Sequence, residues 1–161
     1  MTKMVIFKFI FFISGGVVLM DQITKLAIQK HFQLHESLIV VKNLVSLTYI
    51  RNPGAAFGIL AEQSATFRSV FFAVVSVLAF FLLMLFFMKT EKKDQWERVA
   101  LSLLLGGTIG NLIDRIRLGE VVDFIYFYTI RFPAFNVADS AITIGAFILL
   151  FNLYSTQGKV H

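Results

Sequence analysis

The stretch SVFFAVVSVLAFFLLMLFFM, residues 69–88, carries no charged side chain anywhere along its length. A transmembrane α-helix needs about 20 predominantly apolar residues to cross the hydrocarbon core of a bilayer, so this stretch predicts a membrane span. The whole 161-residue chain is 57% hydrophobic and only 16% charged, whereas soluble domains average about 25% charged residues. The sequence therefore predicts a single integral membrane domain, residues 1–161.

Three further apolar blocks predict three more spans. With the first stretch they give an all-α membrane protein, a four-transmembrane-helix bundle whose approximate helices are residues 4–28, 69–88, 99–115 and 137–154. The alternative for the first block is a secretory signal peptide, because Lys3 and Lys8 precede an apolar core. A retained helix is favoured, since no A-x-A-like cleavage site follows and the block continues at helical spacing.

The segment between the first two spans, residues 33–66, predicts a small extracytoplasmic β-hairpin and a loop. Residues 37–41 and 44–50 are β-branched and apolar around a Lys42-Asn43 turn that lacks glycine, which leaves the register open. The run RNPGAAFG, residues 51–58, consists of turn formers and small residues. It is either an ordinary Pro-Gly loop or a substrate-facing loop, and residues 57–62 are a candidate lid.

Three aspartates, Asp21, Asp114 and Asp139, lie where a long apolar stretch meets a polar one, and Asp123 lies between the last two. If the spans alternate in direction, Asp21, Asp114 and Asp139 emerge on one side, and Asp123 is confined to that side by the short connection. Ionised groups at membrane depth are expensive and mark functional sites. The sequence therefore predicts the functional site at this face of the bundle.

The basic residues predict the orientation of the bundle. Net charge is +5, and four of the cations, Lys89, Lys92, Lys93 and Arg98, crowd the connection between the second and third spans. The positive-inside rule then places this connection and both termini in the cytoplasm. Basic residues beside apolar spans contact membrane phospholipids, and nucleic acid is not expected as a partner because no basic stripe with stacking aromatics occurs.

The available side chains favour carboxylate chemistry. The chain has no cysteine, and its histidines do not form an H-E-x-x-H motif, so His31 and His35 are assigned to a solvated helix end and no metal or cofactor is predicted. Two aspartates within hydrogen-bond reach in a low dielectric share one proton. One can then deprotonate a water while the other protonates the carbonyl or the leaving amine, as in aspartic peptidases.

Five motifs together resemble the lipoprotein signal peptidase (type II signal peptidase) family. They are DQITK (21–25), NPGAAFG (52–58), GNLIDR (110–115), VVDF (121–124) and FNVADS (135–140). Family members often carry a further acid after V-V-D-F, where this chain has aromatic residues 126–128 that are expected to be interfacial anchors.

The resemblance implies a bacterial plasma-membrane enzyme, multi-pass and monomeric, with its active site near the extracytoplasmic leaflet. It implies an aspartic endopeptidase that removes the signal peptide from diacylglyceryl-modified prolipoproteins, cutting before the lipidated cysteine. It implies Asp123 and Asp139 as the catalytic pair. The residues it implies as supporting the site or binding substrate are Asn52, Gly54, Asn111, Asp114, Arg115, Asn136 and Ala138.

Several expectations come from the residues themselves. Asp21 and Lys25 stand at i, i+4 and suit an intrahelical ion pair with a structural role. Asp139 at a helix N-terminus is expected to carry more negative charge than Asp123, although it could also serve only as a helix cap. A proton-coupled transporter and a structural scaffold remain as alternatives, but a transporter would place its acids near the midplane and often shows repeats.

Overall fold

The computed structural model describes residues 8, 10–54, 63–89 and 95–157. Four long helices form the body of the protein: α1 Gly15–His31, α2 Ala65–Lys89, α3 Gln95–Leu118 and α4 Val137–Gln157. A short π-helical segment, Ile10–Ser14, leads directly into α1. All four helices are long and apolar enough to cross a membrane. The predicted fold class, a four-helix membrane bundle with a small β-sheet, is confirmed.

Helix α3 lies at the centre of the bundle, because it contacts α1, the π-helical segment, α2 and α4. Half of the residues in its most apolar 18-residue stretch are buried inside the protein, compared with 6% in the corresponding stretch of α2. Helix α2 therefore presents most of its surface outward, which its uniformly apolar sequence suits in a lipid environment. The polar side chains of the site are gathered around the buried α3.

Glycines on α3 allow the neighbouring helices to approach closely. A Cβ atom at Gly110 would lie 2.6 Å from Oδ2 of Asp21 and 3.2 Å from Cβ of Ala138, and one at Gly107 would meet the carbonyl oxygen of Ala138. Side chains larger than hydrogen would separate the helices at these points. The close approach brings α1 and α4 together beside residues 107–110.

The sheet contains three antiparallel strands in the order β1 Ser37–Val41, β2 Val45–Asn52 and β3 Val121–Tyr126. The hairpin turn between β1 and β2 has Asn43 at φ +58°. Asparagine tolerates this left-handed conformation, which explains how the turn closes without glycine.

Strand β3 was not predicted. Its aromatic end was assigned to interfacial anchoring, but it pairs with β2, so that Asn52 lies opposite Val121 and Ile50 opposite Asp123. The paired residues Asn52 and Val121 lie in distant parts of the sequence, so no local pattern reveals the pairing.

The helices extend beyond the apolar runs that predicted them. Helix α2 begins at Ala65, where the hydroxyl of Ser64 accepts a hydrogen bond from the backbone N–H of Phe67 at 3.2 Å. Such a cap satisfies a free donor of the first turn, so the helix starts at the cap and not at the first uncharged residue. Several predicted features lie outside the described residues: residues 4–7 and 9 of the first span, residues 55–58 of the loop, the candidate lid at residues 57–62, and the basic residues Lys3, Lys92 and Lys93.

Candidate active site

Asp123 and Asp139 reach the same cavity from different elements. Asp123 is the third residue of β3, and Asp139 lies in the first turn of α4. Both side chains line a cavity of about 550 Å³, together with Asn52, Gly54 and Arg115. The sheet and the bundle core thus each supply one carboxylate to a shared, partly enclosed space.

Three asparagine amides hold the two carboxylates. Oδ2 of Asp123 accepts from Nδ2 of Asn52 at 2.9 Å, and its Oδ1 accepts from Nδ2 of Asn136 at 2.8 Å. Oδ1 of Asp139 accepts from Nδ2 of Asn111 at 2.7 Å. Each of the three amides therefore presents its NH₂ group to a carboxylate.

The oxygen of each amide is held by a separate donor, which fixes the direction of the amide. Oδ1 of Asn52 accepts the backbone N–H of Gly54 at 2.8 Å, in a tight turn where Gly54 has φ +98°. Oδ1 of Asn136 accepts the backbone N–H of Asp139 at 2.9 Å, and Oδ1 of Asn111 accepts from Nζ of Lys25 at 2.9 Å. Reversing any amide would place two donors, or two acceptors, face to face.

Asp139 also takes part in capping helix α4. Its Oδ2 accepts the backbone N–H of Asn136 at 3.2 Å, reciprocal to the bond from its own N–H to the Asn136 side chain. This is the arrangement of a capping box. The helix-cap interpretation of Asp139 and its place in the cavity are therefore compatible, because different oxygens serve the two interactions.

Burial raises the pKa of Asp123 to about 7, and the neighbouring negative charge of Asp139 acts in the same direction. Hydrogen bonds from Asn52 and Asn136 and the positive charge of Lys25 act in the opposite direction, but they do not offset burial. Only 2% of the Asp123 surface is exposed. A carboxyl with this pKa is available as a proton donor near neutral pH.

A buried ion cluster lies behind the cavity. Nζ of Lys25 contacts Oδ2 of Asp21 at 2.8 Å and Oδ2 of Asp114 at 2.9 Å, and all three side chains are at most 1% exposed. The expected Asp21–Lys25 ion pair is present, and Asp114 joins it from α3. Residues 10–28 of the first apolar block are thereby part of the folded bundle, which disfavours the signal-peptide interpretation.

The sequence-predicted site residues divide into two groups. Asn52, Gly54, Arg115, Asp123 and Asp139 line the cavity itself. A second group is buried behind it and supports it: Asp21, Lys25, Asn111, Asp114, Asn136 and Ala138. His31 and His35 are exposed, and His35 lies beyond the end of α1 with φ +69°.

Arg115 is placed by α2 and α3 jointly. Its Nη1 donates to the backbone oxygen of Asn111 at 3.3 Å, and its guanidinium lies 5.9 Å from the ring centroid of Phe72. Phe72 was not predicted as a site residue, because nothing distinguishes it within a uniformly apolar run. Gln22 was also missed as a site contact, although it lies within the DQITK motif and donates to Asp21 and Asp114, each at 3.1 Å.

A second, apolar cavity adjoins the first at Asp139. It measures about 530 Å³, and its remaining lining residues are Phe127, Ile130, Phe132, Phe135, Ser140, Thr143 and Ile144. The rings of Phe127 and Phe135 stack with centroids 5.9 Å apart and form a rigid wall. Within the part of the chain that the structure describes, Asp139 alone lines both cavities.

Among the described residues, the charged and amide side chains that line the first cavity are the carboxylates of Asp123 and Asp139, the amide of Asn52 and the guanidinium groups of Arg51 and Arg115. Over residues 10–54, 63–89 and 95–157 no group of three or more His, Asp or Glu side chains is placed to hold a metal ion. A polar cavity with two acids meets an apolar cavity at the edge of a membrane bundle. This arrangement suits hydrolysis of a substrate that has one polar and one apolar part.

Comparisons with known proteins agree on one family. The model of the signal peptidase (SPase) II family matches residues 13–155. A lipoprotein signal peptidase of Syntrophus aciditrophicus is 46% identical over 151 residues, covering 92% of this chain and 94% of the relative. The one from Syntrophotalea carbinolica is 47% identical over 150 residues, covering 92% of each.

Two solved structures also resemble this chain. One is described as a bacterial membrane enzyme determined by the in meso method at 2.3 Å resolution; it has a TM-score of 0.84 and 36% identity, covering 93% of this chain and 90% of that one. A second, described in the same way at 1.9 Å, has a TM-score of 0.80 and 37% identity, covering 89% and 91%. Both structures cover most of this chain, so the likeness in fold extends over nearly its whole length.

Proposed function

The chain belongs to the signal peptidase II family, and from this membership we propose that it is an aspartic endopeptidase acting on diacylglyceryl-modified prolipoproteins. It removes the signal peptide by cutting immediately before the lipid-bearing cysteine. The observation that carries the proposal is the convergence of Asp123 and Asp139 on one cavity, each held by asparagine amides. A transporter would not require this pairing of acids at one end of the bundle.

In the proposed reaction Asp139 is the general base and Asp123 the general acid. Asp139 lies at the N-terminal end of α4, where the helix dipole favours its ionised form. Asp123 has a pKa of about 7, raised chiefly by burial, so its protonated form is well populated near neutral pH. Asp139 takes a proton from water as the water oxygen attacks the scissile carbonyl carbon, and Asp123 donates its proton to the carbonyl oxygen.

The tetrahedral intermediate then collapses with breakage of the carbon–nitrogen bond. The proton held by Asp139 passes to the leaving amine nitrogen, and the hydroxyl proton of the intermediate returns to Asp123. The products are the free signal peptide and a lipoprotein with a new amino terminus. Arg115, at the wall of the cavity, supplies positive charge that favours the partial negative charge on the carbonyl oxygen before its protonation by Asp123 is complete.

The two cavities suit the two parts of the substrate. We assign the polar cavity beside Asn52 and Arg115 to the extended peptide around the scissile bond. The apolar cavity, walled by Phe127 and Phe135, receives the apolar part of the substrate on the other side of Asp139. A diacylglyceryl chain can then remain in lipid while the peptide reaches the carboxylates.

The proposed location is the bacterial plasma membrane, with both termini in the cytoplasm and the site near the extracytoplasmic leaflet. The connection between α2 and α3 is flanked by Lys89 and Arg98, whereas the site is at the opposite ends of these helices. A cytoplasmic position for this connection follows the positive-inside rule. Phospholipids surround the bundle, and the enzyme acts as a monomer.

The test uses the purified chain in lipid with two forms of one prolipoprotein precursor, with and without the diacylglyceryl group on cysteine. Mass spectrometry of the products should show cleavage before the modified cysteine, and the unmodified precursor should remain uncut. Cleavage at another peptide bond, or equal cleavage of both precursors, would contradict the proposal.

A further inference from the structure

The buried side chain of Lys25 has more hydrogen bonds than a simple ion pair requires. Its three ammonium protons have three acceptors: Oδ2 of Asp21 at 2.8 Å, Oδ2 of Asp114 at 2.9 Å and Oδ1 of Asn111 at 2.9 Å. Only the contacts with the two carboxylates neutralise charge. The third connects the cation to an amide whose other end donates to Asp139 at 2.7 Å.

We propose that Lys25 is a positioning residue for the reaction, which fixes the direction of the Asn111 amide so that its NH₂ group faces Asp139. An ammonium group can only donate hydrogen bonds, so the amide must turn its oxygen towards the ammonium group to form one. With the amide reversed, the NH₂ would face the ammonium and the carbonyl oxygen would face the Asp139 carboxylate. Both contacts would be repulsive.

Asn136 provides a weaker hold on the same amide oxygen. Its Nδ2 has two protons but three acceptors: Oδ1 of Asp123 at 2.8 Å, Oδ1 of Asn111 at 3.1 Å and the carbonyl oxygen of Val122 at 3.2 Å. The bond to Asn111 is therefore shared and long. The bond from Lys25 is shorter and charge-assisted, and such bonds are about twice as strong as neutral ones.

The two acids that hold Lys25 also reach the backbone beside the proposed catalytic residues. Oδ1 of Asp21 accepts the N–H of Ala138, the residue before Asp139, at 2.9 Å. Oδ2 of Asp114 accepts the N–H of Val122, the residue before Asp123, at 3.1 Å. The ion cluster thus connects α1 to both carboxylates, and a change at Lys25 is transmitted to the site through defined bonds.

This inference rests on the proposed function, and its test separates donor ability from charge. Removing Lys25 alone would leave two buried carboxylates without a cation, which is strongly destabilising. All variants are therefore made with Asp21→Asn and Asp114→Asn, whose amide oxygens can still accept the N–H groups of Ala138 and Val122. In this background Lys25→Gln keeps a donor, Lys25→Met has none, and Lys25→Glu offers an acceptor.

The measurement is kcat and KM for the lipidated precursor, with thermal unfolding to select folded proteins. The Lys25→Gln chain should have a kcat at least tenfold above that of the Lys25→Met chain, with KM within about twofold. The Lys25→Glu chain, which favours the reversed amide, should have a still lower kcat. If one of the three variants does not fold, the comparison between the other two decides. Equal kcat values among the folded variants would overturn the inference.

The wild-type chain measured in parallel distinguishes this failure from failure of the proposed function. If the wild-type chain cuts the precursor while the variants have equal kcat values, only the positioning role of Lys25 is lost. If the wild-type chain does not cut the precursor before the lipidated cysteine, the proposed function itself is wrong.

Discussion

The side-chain amide of Asn136 donates to Oδ1 of Asp123 at 2.8 Å, across 13 residues of sequence. The same residue caps helix α4 and exchanges two hydrogen bonds with Asp139. One fully buried side chain therefore sets the position of both carboxylates relative to each other. This connection keeps the acids in place without bringing a further charge into the cavity.

Asn136→Ala should remove almost all activity and destabilise the fold. The substitution deletes a helix cap, worth about 1 kcal/mol, and leaves buried partners unsatisfied, at about 1–3 kcal/mol. We expect kcat to fall by about a hundredfold or more and the melting temperature to fall by several degrees, measured in the same detergent. Gln29→Ala is the control, because it removes an amide that donates to a backbone oxygen away from the cavity; equal losses in both variants would contradict the special role of Asn136.

The alkaline limb of the pH–rate profile should report the protonation of Asp123. Burial raises its pKa to about 7, and the reaction requires its protonated form, so kcat/KM should fall as the pH rises above this value. Asn52→Leu removes a donor that lowers this pKa, so the limb should move to higher pH. Thr129→Val, which removes an exposed hydroxyl bond to Asn43, should leave the limb in place. A shift to lower pH in Asn52→Leu would contradict the assignment.

Stability should fall as the pH rises from about 4 to about 7. In this window the Asp123 carboxyl, with an ordinary value of 3.8 and a folded pKa near 7, binds more protons in the folded chain than in the unfolded one. The wild-type melting temperature should therefore be lower at pH 8 than at pH 5. In Asp123→Asn the difference between the melting temperatures at pH 5 and pH 8 should be much smaller. If that difference is as large as in the wild-type chain, Asp123 is not its cause.

Gly110→Ala should destabilise the bundle. The added methyl would lie 2.6 Å from Oδ2 of Asp21 and 3.2 Å from Cβ of Ala138, both fully buried, so α1 or α4 must move. Gly16→Ala meets no atom within 4 Å and is the matched control; it should be neutral or stabilising by up to about 1 kcal/mol through helix propensity. Thermal unfolding of both variants tests this, and equal melting temperatures would contradict the close packing at Gly110.

The apolar cavity beside Asp139 should govern substrate binding. Thr143→Trp places a large ring in this cavity and should raise KM for the lipidated precursor by about tenfold or more, with a smaller change in kcat. Leu150→Trp adds the same ring to an exposed position further along α4 and should leave KM unchanged. An unchanged KM in Thr143→Trp would remove the apolar cavity from the binding site.

The sequence predicted the bundle and the clustering of acids because both depend on patterns within or between long apolar runs. The length of an apolar run identifies a span, and the alternation of spans places Asp21, Asp114 and Asp139 on one side. The helix ends were less predictable, since α2 starts at the Ser64 cap and not at the first uncharged residue. Hydrophobicity locates the part of a helix that lies in lipid, not its caps.

The direction of the amides and the third strand could not be predicted, because both depend on contacts between distant residues. Lys25 and Asn111 are 86 residues apart, and Asn52 and Asp123 are 71 apart. Motif order indicated that these residues belong to one site, but not which atom of each amide faces which acid. Strand β3 likewise exists only because β2 supplies a partner.

The most direct test of the central claim is the turnover of a lipidated precursor by Asp123→Asn and Asp139→Asn, each purified in lipid and compared with the wild-type chain. Both substitutions keep the size of the side chain and remove its ability to exchange a proton. We expect each variant to fold, to bind the precursor and to cut it at least about a thousandfold more slowly. Near-normal turnover by either folded variant would contradict the assignment of that residue as catalytic.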